Sequence, residues 1–351
     1  MLRRGAALSA FLLITIAAFS QQAFSQEASA SQAFAQKTPS PKTRHFIFDY
    51  SFTVRVTAPG KPLDLWFPVA RSDQYQQVRV LSQSGDLPLA EGREPEYGNV
   101  MLHAHADAAN QPEYHFSVKY DVVRREHLMP ASAPLPLALT DASLRRFLQP
   151  DRLAPVSGRP AQIAAAQVRP GMAEMEKARA LYDYTIANMR YDKSGAGWGH
   201  GDTLWACSAK RGNCTDFHSL FISMVRSQGI PGKFEIGFPL PQDKSSAEVA
   251  GYHCWAEFYT PQRGWVPVDI SEAWLHPELR NYFFGAHDVN RVQFSVGRDI
   301  ELSPRQHGDR LNYFVYPYVE LGGKEYSNVS TAFSFADVKA AQGSATARLG
   351  H

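Results

Sequence analysis

The residue types able to cleave or transfer an acyl group gather in the second half of the chain, around Cys214, His253 and Asp269. Cys214 follows a Gly212-Asn213 turn. It opens a run in which Phe217, Leu220, Phe221, Met224 and Val225 recur with helical spacing and Ile222 widens the apolar face. Asn213 is a good N-cap, Asp216 stands at the third helical position where it can reach back as a capping box, and Gly229 and Pro231 stop the helix. The spacing predicts a deeply buried helix with a thiol at its first position. There the unpaired N–H groups and the helix dipole favour the thiolate, which is the nucleophilic form. A buried structural cysteine is the competing reading of the same residue.

A thiolate nucleophile needs a base for its proton and a third group that orients the base. Residues 252–259 and 265–270 read as two strands around a turn at 260–264. With Tyr259 opposite Trp265, His253 and Asp269 share a sheet face as diagonal neighbours, about 7–8 Å apart at the backbone. A slip of one residue would send them to opposite faces. Pro267 cannot donate to the ladder, so its strand is an edge or is interrupted. His218, one helical turn after Cys214, competes for the role of base, but no carboxylate stands behind it in the sequence. Its other reading is a packed, hydrogen-bonded core residue, and His253 is the better candidate.

Cys214, His218, His253 and Cys254 also have the chemistry of zinc ligands. His253 and Cys254 are strand neighbours that point to opposite faces, and there is no Cys-x-x-Cys pair. No metal and no cofactor is therefore expected. The three cysteines, Cys207, Cys214 and Cys254, leave at least one thiol unpaired in an exported protein. A Cys207–Cys254 pair would leave Cys214 free, and a Cys207–Cys214 pair would mask it.

The elements that must position these residues follow from patterning. Residues 1–25 read as a secretory signal: Arg3 and Arg4, an apolar stretch over 6–19 too short to span a bilayer, and small residues at Ala18, Ser20, Ala23 and Ser25. Export to the periplasm or medium is expected, with no stable membrane insertion after signal removal. Residues 26–43 read as a flexible linker. Residues 44–127 carry β-patterning, with Phe46, Phe48, Tyr50, Phe52, Val54 and Val56 alternating with polar residues, and the short strands between turns predict a β-sandwich domain. His103 and His105 share a face there and could be called a metal pair, but two histidines without a carboxylate or cysteine brought to them are more often surface residues, and that is the expectation here. Seven prolines across 128–173 mark a connector with room for a short helix near 141–148.

A second domain is expected over 174–335, entered by a helix on which Met175, Ala178, Tyr182, Thr185, Ile186 and Met189 form a stripe. The glycines at 195, 197, 199 and 201 make a loop without the Lys-Ser/Thr of a phosphate cradle, so it is expected to rim the site around Cys214. Residues 336–351 are expected to be a disordered tail.

Four blocks, Gly212-Asn-Cys-Thr-Asp216, Gly229-Ile-Pro-Gly232, Gly251-Tyr-His-Cys-Trp-Ala-Glu257 and Gly264-Trp-Val-Pro-Val-Asp269, resemble the transglutaminase-like superfamily. They occur in the family's order, and the resemblance covers about residues 175–320. It is nearest to bacterial exported proteins with an N-terminal β-sandwich. It implies an α+β, papain-like core in which the cysteine helix packs on an antiparallel sheet. It implies Cys214 as nucleophile, His253 as general base and acid, and Asp269 as the orienting residue. Trp255 is implied as a wall of the site. The Cys214 N–H, with Tyr191 or Trp205, is a candidate donor to an oxyanion.

The implied chemistry is acyl transfer from protein or peptide amides through a thioester. Hydrolysis, as in a protease or amidase, is favoured over Gln–Lys crosslinking, because nothing marks a second amine site. No calcium-loop pattern is present. A net charge of +2 implies no nucleic-acid partner. The alternative is a catalytically silent module of the same fold, used for binding or scaffolding.

Overall fold

Two facing sheets arise first, from strands whose side chains alternate between an apolar and a polar face. The computed structural model describes residues 40–133 and 137–339, so the expected signal segment and most of the expected linker and tail lie outside the described residues. The opening strands are β1 (Thr43–Arg55), β2 (Leu63–Pro68), β3 (Gln76–Gly85), β4 (Ala90–Arg93), β5 (Val100–Ala106), β6 (Glu113–Arg125) and β7 (His127–Leu128). Next come α1 (Arg159–Gln167), α2 (Glu174–Asn188), β8 (Arg190–Tyr191), α3 (Thr203–Ala209), β9 (Arg211–Gly212) and α4 (Cys214–Ser227). The chain continues through β10 (Gly232–Pro239), β11 (Ser246–Glu248), β12 (His253–Thr260), β13 (Gly264–Val268), α5 (Ile270–Leu275), β14 (Ala286–His287), β15 (Arg291–Val296), β16 (Tyr318–Leu321) and β17 (Val329–Asp337).

One sheet runs β11-β17-β1-β6-β3 and the facing one β16-β2-β5-β4. Phe46, Phe48, Tyr50, Phe52 and Val54 all point inward from β1, as the alternation predicts. Tyr50 and Phe52 meet Phe67 of β2 with ring centroids 6.2 and 5.0 Å apart, which closes the sandwich. The two sheets draw strands from both ends of the chain: β17 pairs along β1 and β16 along β2. The third sheet, β13-β12-β10-β15, is antiparallel and carries the hairpin. Phe238 of β10 packs on Phe48 at 5.3 Å, and Phe294 of β15 on Tyr50 at 5.5 Å. Sandwich and hairpin sheet thus share one core.

The helix α4 packs against β12 and β10, and every residue from Cys214 to Arg226 is buried. Each large apolar side chain seated there contributes about 1.5–3 kcal/mol. Phe217, Phe221, Met224 and Val225 together outweigh the ~1 kcal/mol of the N-cap. Packing holds the helix, and the cap decides where it starts. The connector also contains α1, which the proline count did not suggest. Pro160 sits in its first turn, where a missing N–H costs nothing, and α1 packs on α4.

One expectation is corrected here. His103 and His105 have acidic neighbours: Asp107, two residues on, lies 3.1 Å from His105 Nε2, and Asp64 Oδ1 lies 3.0 Å from His103 Nε2 and 2.9 Å from His105 Nδ1. The Asp64 carboxylate comes from β2, the strand paired with β5, and pairing of distant strands leaves no local trace in sequence.

Candidate active site

The start of α4 is fixed by backbone geometry and one acid. Gly212 has φ 149°, and a Cβ there would lie 2.2 Å from Asp216 Oδ2. Asn213 Oδ1 accepts the Thr215 N–H at 2.9 Å, and Asp216 Oδ2 accepts the Asn213 N–H at 2.9 Å, completing the capping box. The Asp216 carboxylate also accepts the N–H groups of Gly199 and Gly201, at 2.8 and 3.0 Å. The group that caps the cysteine helix therefore clamps the glycine-rich loop beside it. Gly201 has φ 60°, and a Cβ there would stand 2.4 Å from Ser219 Oγ and 2.8 Å from Thr215 Cγ2. Gly201→Ala should destabilise the protein by about 1–3 kcal/mol through this overpacking. Urea unfolding measures it, and an unchanged midpoint would mean that the loop yields freely.

The hairpin register pairs Tyr259 with Trp265 and Ala256 with Val268, the register required to bring His253 and Asp269 together. Pairing stops at Val268, so Asp269 becomes the N-cap of α5, with Oδ1 accepting the Glu272 N–H at 3.1 Å. Its other oxygen, Oδ2, lies 2.8 Å from His253 Nε2 and accepts from Arg291 Nη1 at 2.9 Å. A carboxylate on Nε2 makes that nitrogen the donor and leaves Nδ1 for the thiol. Cys214 lies within hydrogen-bonding reach of His253.

The electrostatics follow from this packing. Burial pushes the Cys214 thiol up, but hydrogen bonds from Cys254 and His253 and the charge on His253 outweigh it, holding Cys214 well below its ordinary value. Burial pushes His253 down, but the Asp269 carboxylate outweighs it and holds the imidazole well above its ordinary value. Asp269 is itself held well below the usual carboxylate range: burial opposes its charge, while His253 and Arg291 stabilise it. This is the order a thiolate–imidazolium pair requires.

Residues 161–270 match the transglutaminase-like superfamily. The chain carries a transglutaminase-like core. A Haemophilus influenzae protein that bears no functional name is 26% identical over 349 residues, covering 81% of this chain and 88% of its own length. YebA of Bacillus subtilis, also without a stated function, is 29% identical over 77 residues, covering 19% of this chain and 10% of its own. The crystal structure of a candidate cysteine protease from Cytophaga hutchinsonii has a TM-score of 0.59 at 17% identity, covering 85% of this chain and 92% of that one. At that identity the likeness speaks for the fold alone.

Within the transglutaminase-like core, His218 is tied down on both ring nitrogens. Nδ1 lies 2.8 Å from the Cys214 carbonyl, and Nε2 accepts the Ile270 N–H at 3.1 Å. Burial lowers its proton affinity. A neutral ring donating through Nδ1 satisfies both contacts, so His218 joins the cysteine helix to the start of α5. Cys207, Cys214 and Cys254 are all free thiols. Cys254 is fully buried, with Sγ 3.7 Å from both Thr215 Oγ1 and His218 Nδ1.

The flanking candidates fall in different places. Tyr191 packs on Phe217 at 6.1 Å and, with His253, lines a cleft of about 420 Å³. Trp255 is fully buried behind His253, with its indole N–H on Glu235 at 2.6 Å and Arg291 over its ring at 4.7 Å. It braces the site from behind instead of facing the cleft. Trp205 packs under the glycine-rich loop, where a Cβ on Gly197 would come 2.4 Å from its Nε1.

Sequence reasoning missed Arg291 and Tyr252. Tyr252 takes hydrogen bonds with Asn213 Nδ2 at 3.0 Å and Thr215 Oγ1 at 2.8 Å and lines the cleft. Its place beside His253 in the third block was an available signal. Arg291 had none, since nothing in sequence ties it to Asp269. A larger groove of about 890 Å³ runs along β17 and includes none of Cys214, His253 and Asp269.

Proposed function

We propose that this protein is a cysteine-dependent acyl-transfer enzyme, exported from the cell, that acts on protein or peptide amides through a thioester. The observation that carries the reading is the His253 Nε2–Asp269 Oδ2 contact of 2.8 Å behind an imidazole within reach of a thiol at a helix start. The Cys214 thiolate attacks the amide carbonyl carbon, and the carbonyl oxygen becomes an oxyanion beside the Cys214 N–H. The C–N bond breaks as His253 gives its proton to the leaving nitrogen. Water then attacks the thioester, His253 takes its proton, and the carboxylate leaves as the C–S bond breaks. Asp269 keeps the ring oriented and carries the balancing charge. Hydrolysis is the favoured outcome, with an amine replacing water as the route to crosslinking. The Cytophaga hutchinsonii likeness supports the same reading at the level of fold.

One observation favours the silent-module reading: Cys214 is only 2% exposed and is not on the cleft wall. Substrate reaches the thiol only if the cleft lined by Tyr191 and Tyr252 opens further. Alkylation of Cys214 against pH, followed by peptide mass mapping, separates the two. Catalytic competence predicts labelling well below the free-thiol pKa of about 8.5, and its loss in His253→Ala. A depressed thiol is ionised above its own low pKa, so reactivity falls only as pH drops through that value. Labelling that starts only at alkaline pH and ignores His253 would leave the silent module.

A further inference from the structure

Away from the thiol, three buried side chains converge where the β7–β14 pair passes β12. His127 and His287 face each other across that pair, and Glu257 comes from β12. One donor atom from each lies within 4.8 Å of the others. None of the three side chains is more than 4% exposed. His287 Nε2 lies 3.2 Å from the Val268 carbonyl, to which it can only donate, so the lone pair sits on Nδ1. That Nδ1 has no hydrogen-bond partner among the described residues, and neither has His127 Nε2. His127 Nδ1 is 3.2 Å from Glu257 Oε1. A buried polar atom left unpaired costs about 1–3 kcal/mol, and two of them beside a carboxylate call for an explanation.

We propose that His127, Glu257 and His287 form a structural site for a divalent first-row cation, Zn²⁺ by the character of the donors. Two imidazoles and a carboxylate are a zinc donor set. The His287 N–H on a main-chain carbonyl is the usual support for a metal-binding ring. Metal bonds of about 2.0–2.2 Å ask the three donors to draw together from their present spacing, which side-chain rotation supplies.

The charge balance allows the ion. Buried Arg124 and Arg291 act electrostatically on the two imidazoles and weigh against it. Asp288 offsets Arg291, and Glu235 and Glu257 flank Lys233. The Lys233 ammonium holds Glu257 Oε2, leaving Oε1 toward the histidines. The ion would tie β12, which carries His253, to β7 and β14, and the His287 N–H reaches from there to the Val268 carbonyl, next to Asp269. None of these residues belongs to the set of Cys214, His218, His253 and Cys254.

The test is Zn²⁺ binding by the full chain after chelator treatment, read by competition with a chromophoric chelator, in wild type and in Cys214→Ala. The expected result is one equivalent in both proteins and a raised thermal midpoint with Zn²⁺. X-ray absorption at the zinc edge should show imidazole and oxygen neighbours without sulfur. His287→Gln should weaken binding at least about tenfold. No saturable binding, sulfur in the zinc shell, or unchanged affinity in folded His287→Gln overturns the proposal. If His287→Gln does not fold, the wild-type absorption spectrum decides alone: imidazole without sulfur upholds the site, and sulfur rejects it.

Discussion

If the proposed mechanism holds, Cys214→Ala should abolish turnover of a peptide amide, with an expected fall of about 10⁴-fold or more. The size of the effect follows from the mechanism, since no other group within the site can form the thioester. Cys254, the nearest other thiol, is fully buried, and its proton affinity is raised well above the ordinary value by burial and by the Cys214 charge beside it. It cannot stand in as nucleophile. The substitution removes one buried sulfur and leaves the cap on Asn213 and Asp216 intact, so unfolding should shift little. Steady-state assay and thermal unfolding on the same preparation check both halves. Retained turnover would move the chemistry off this thiol.

Asp269→Ala should cost about 3–5 kcal/mol, the range for breaking a buried ion pair by removing one partner. It strips His253 Nε2 and Arg291 Nη1 of a shared carboxylate oxygen and removes the N-cap of α5 in the same step. Against a typical total stability of 5–15 kcal/mol this is a large fraction. Arg291 keeps Asp288 at 3.0 Å, which places the loss toward the lower end. Asp269→Asn keeps the shape of the cap and should cost less, while still losing activity because the imidazolium is no longer balanced.

The pH dependence gives a sharper readout than the midpoint. Asp269 is depressed in the folded state, so its contribution is full above the unfolded carboxylate value near 3.9 and fades as pH falls through its folded value. His253 is raised, so its contribution is full below about 6.5 and is lost as pH rises through its folded value. The stability gap between wild type and Asp269→Asn should therefore be widest between about pH 4 and 6.5. Urea denaturation within that range and beyond both of its ends measures it, with the gap narrowing on either side. A gap that does not vary with pH would mean that the pair carries no net charge interaction.

The sequence by itself determined the local parts. Gly212-Asn213, Asp216, Gly229 and Pro231 bound α4 because caps and stops act within a few residues. The inward face of β1 was legible because side-chain alternation is a property of one strand. The hairpin register was legible because a short turn leaves little freedom, and from it came the pairing of His253 with Asp269.

Tertiary structure alone decided the rest, because those contacts join segments with no covalent reason to meet. It brought β16 and β17 back to complete the sandwich sheets and put Asp64 between His103 and His105. It drove Arg291 onto Asp269 and turned Trp255 away from the cleft. It also gathered His127, Glu257 and His287 from three strands. Burial then set the charges: a thiol, an imidazole and a carboxylate have ordinary proton affinities in a list of residues, and acquire the order needed for chemistry only when packed together without water.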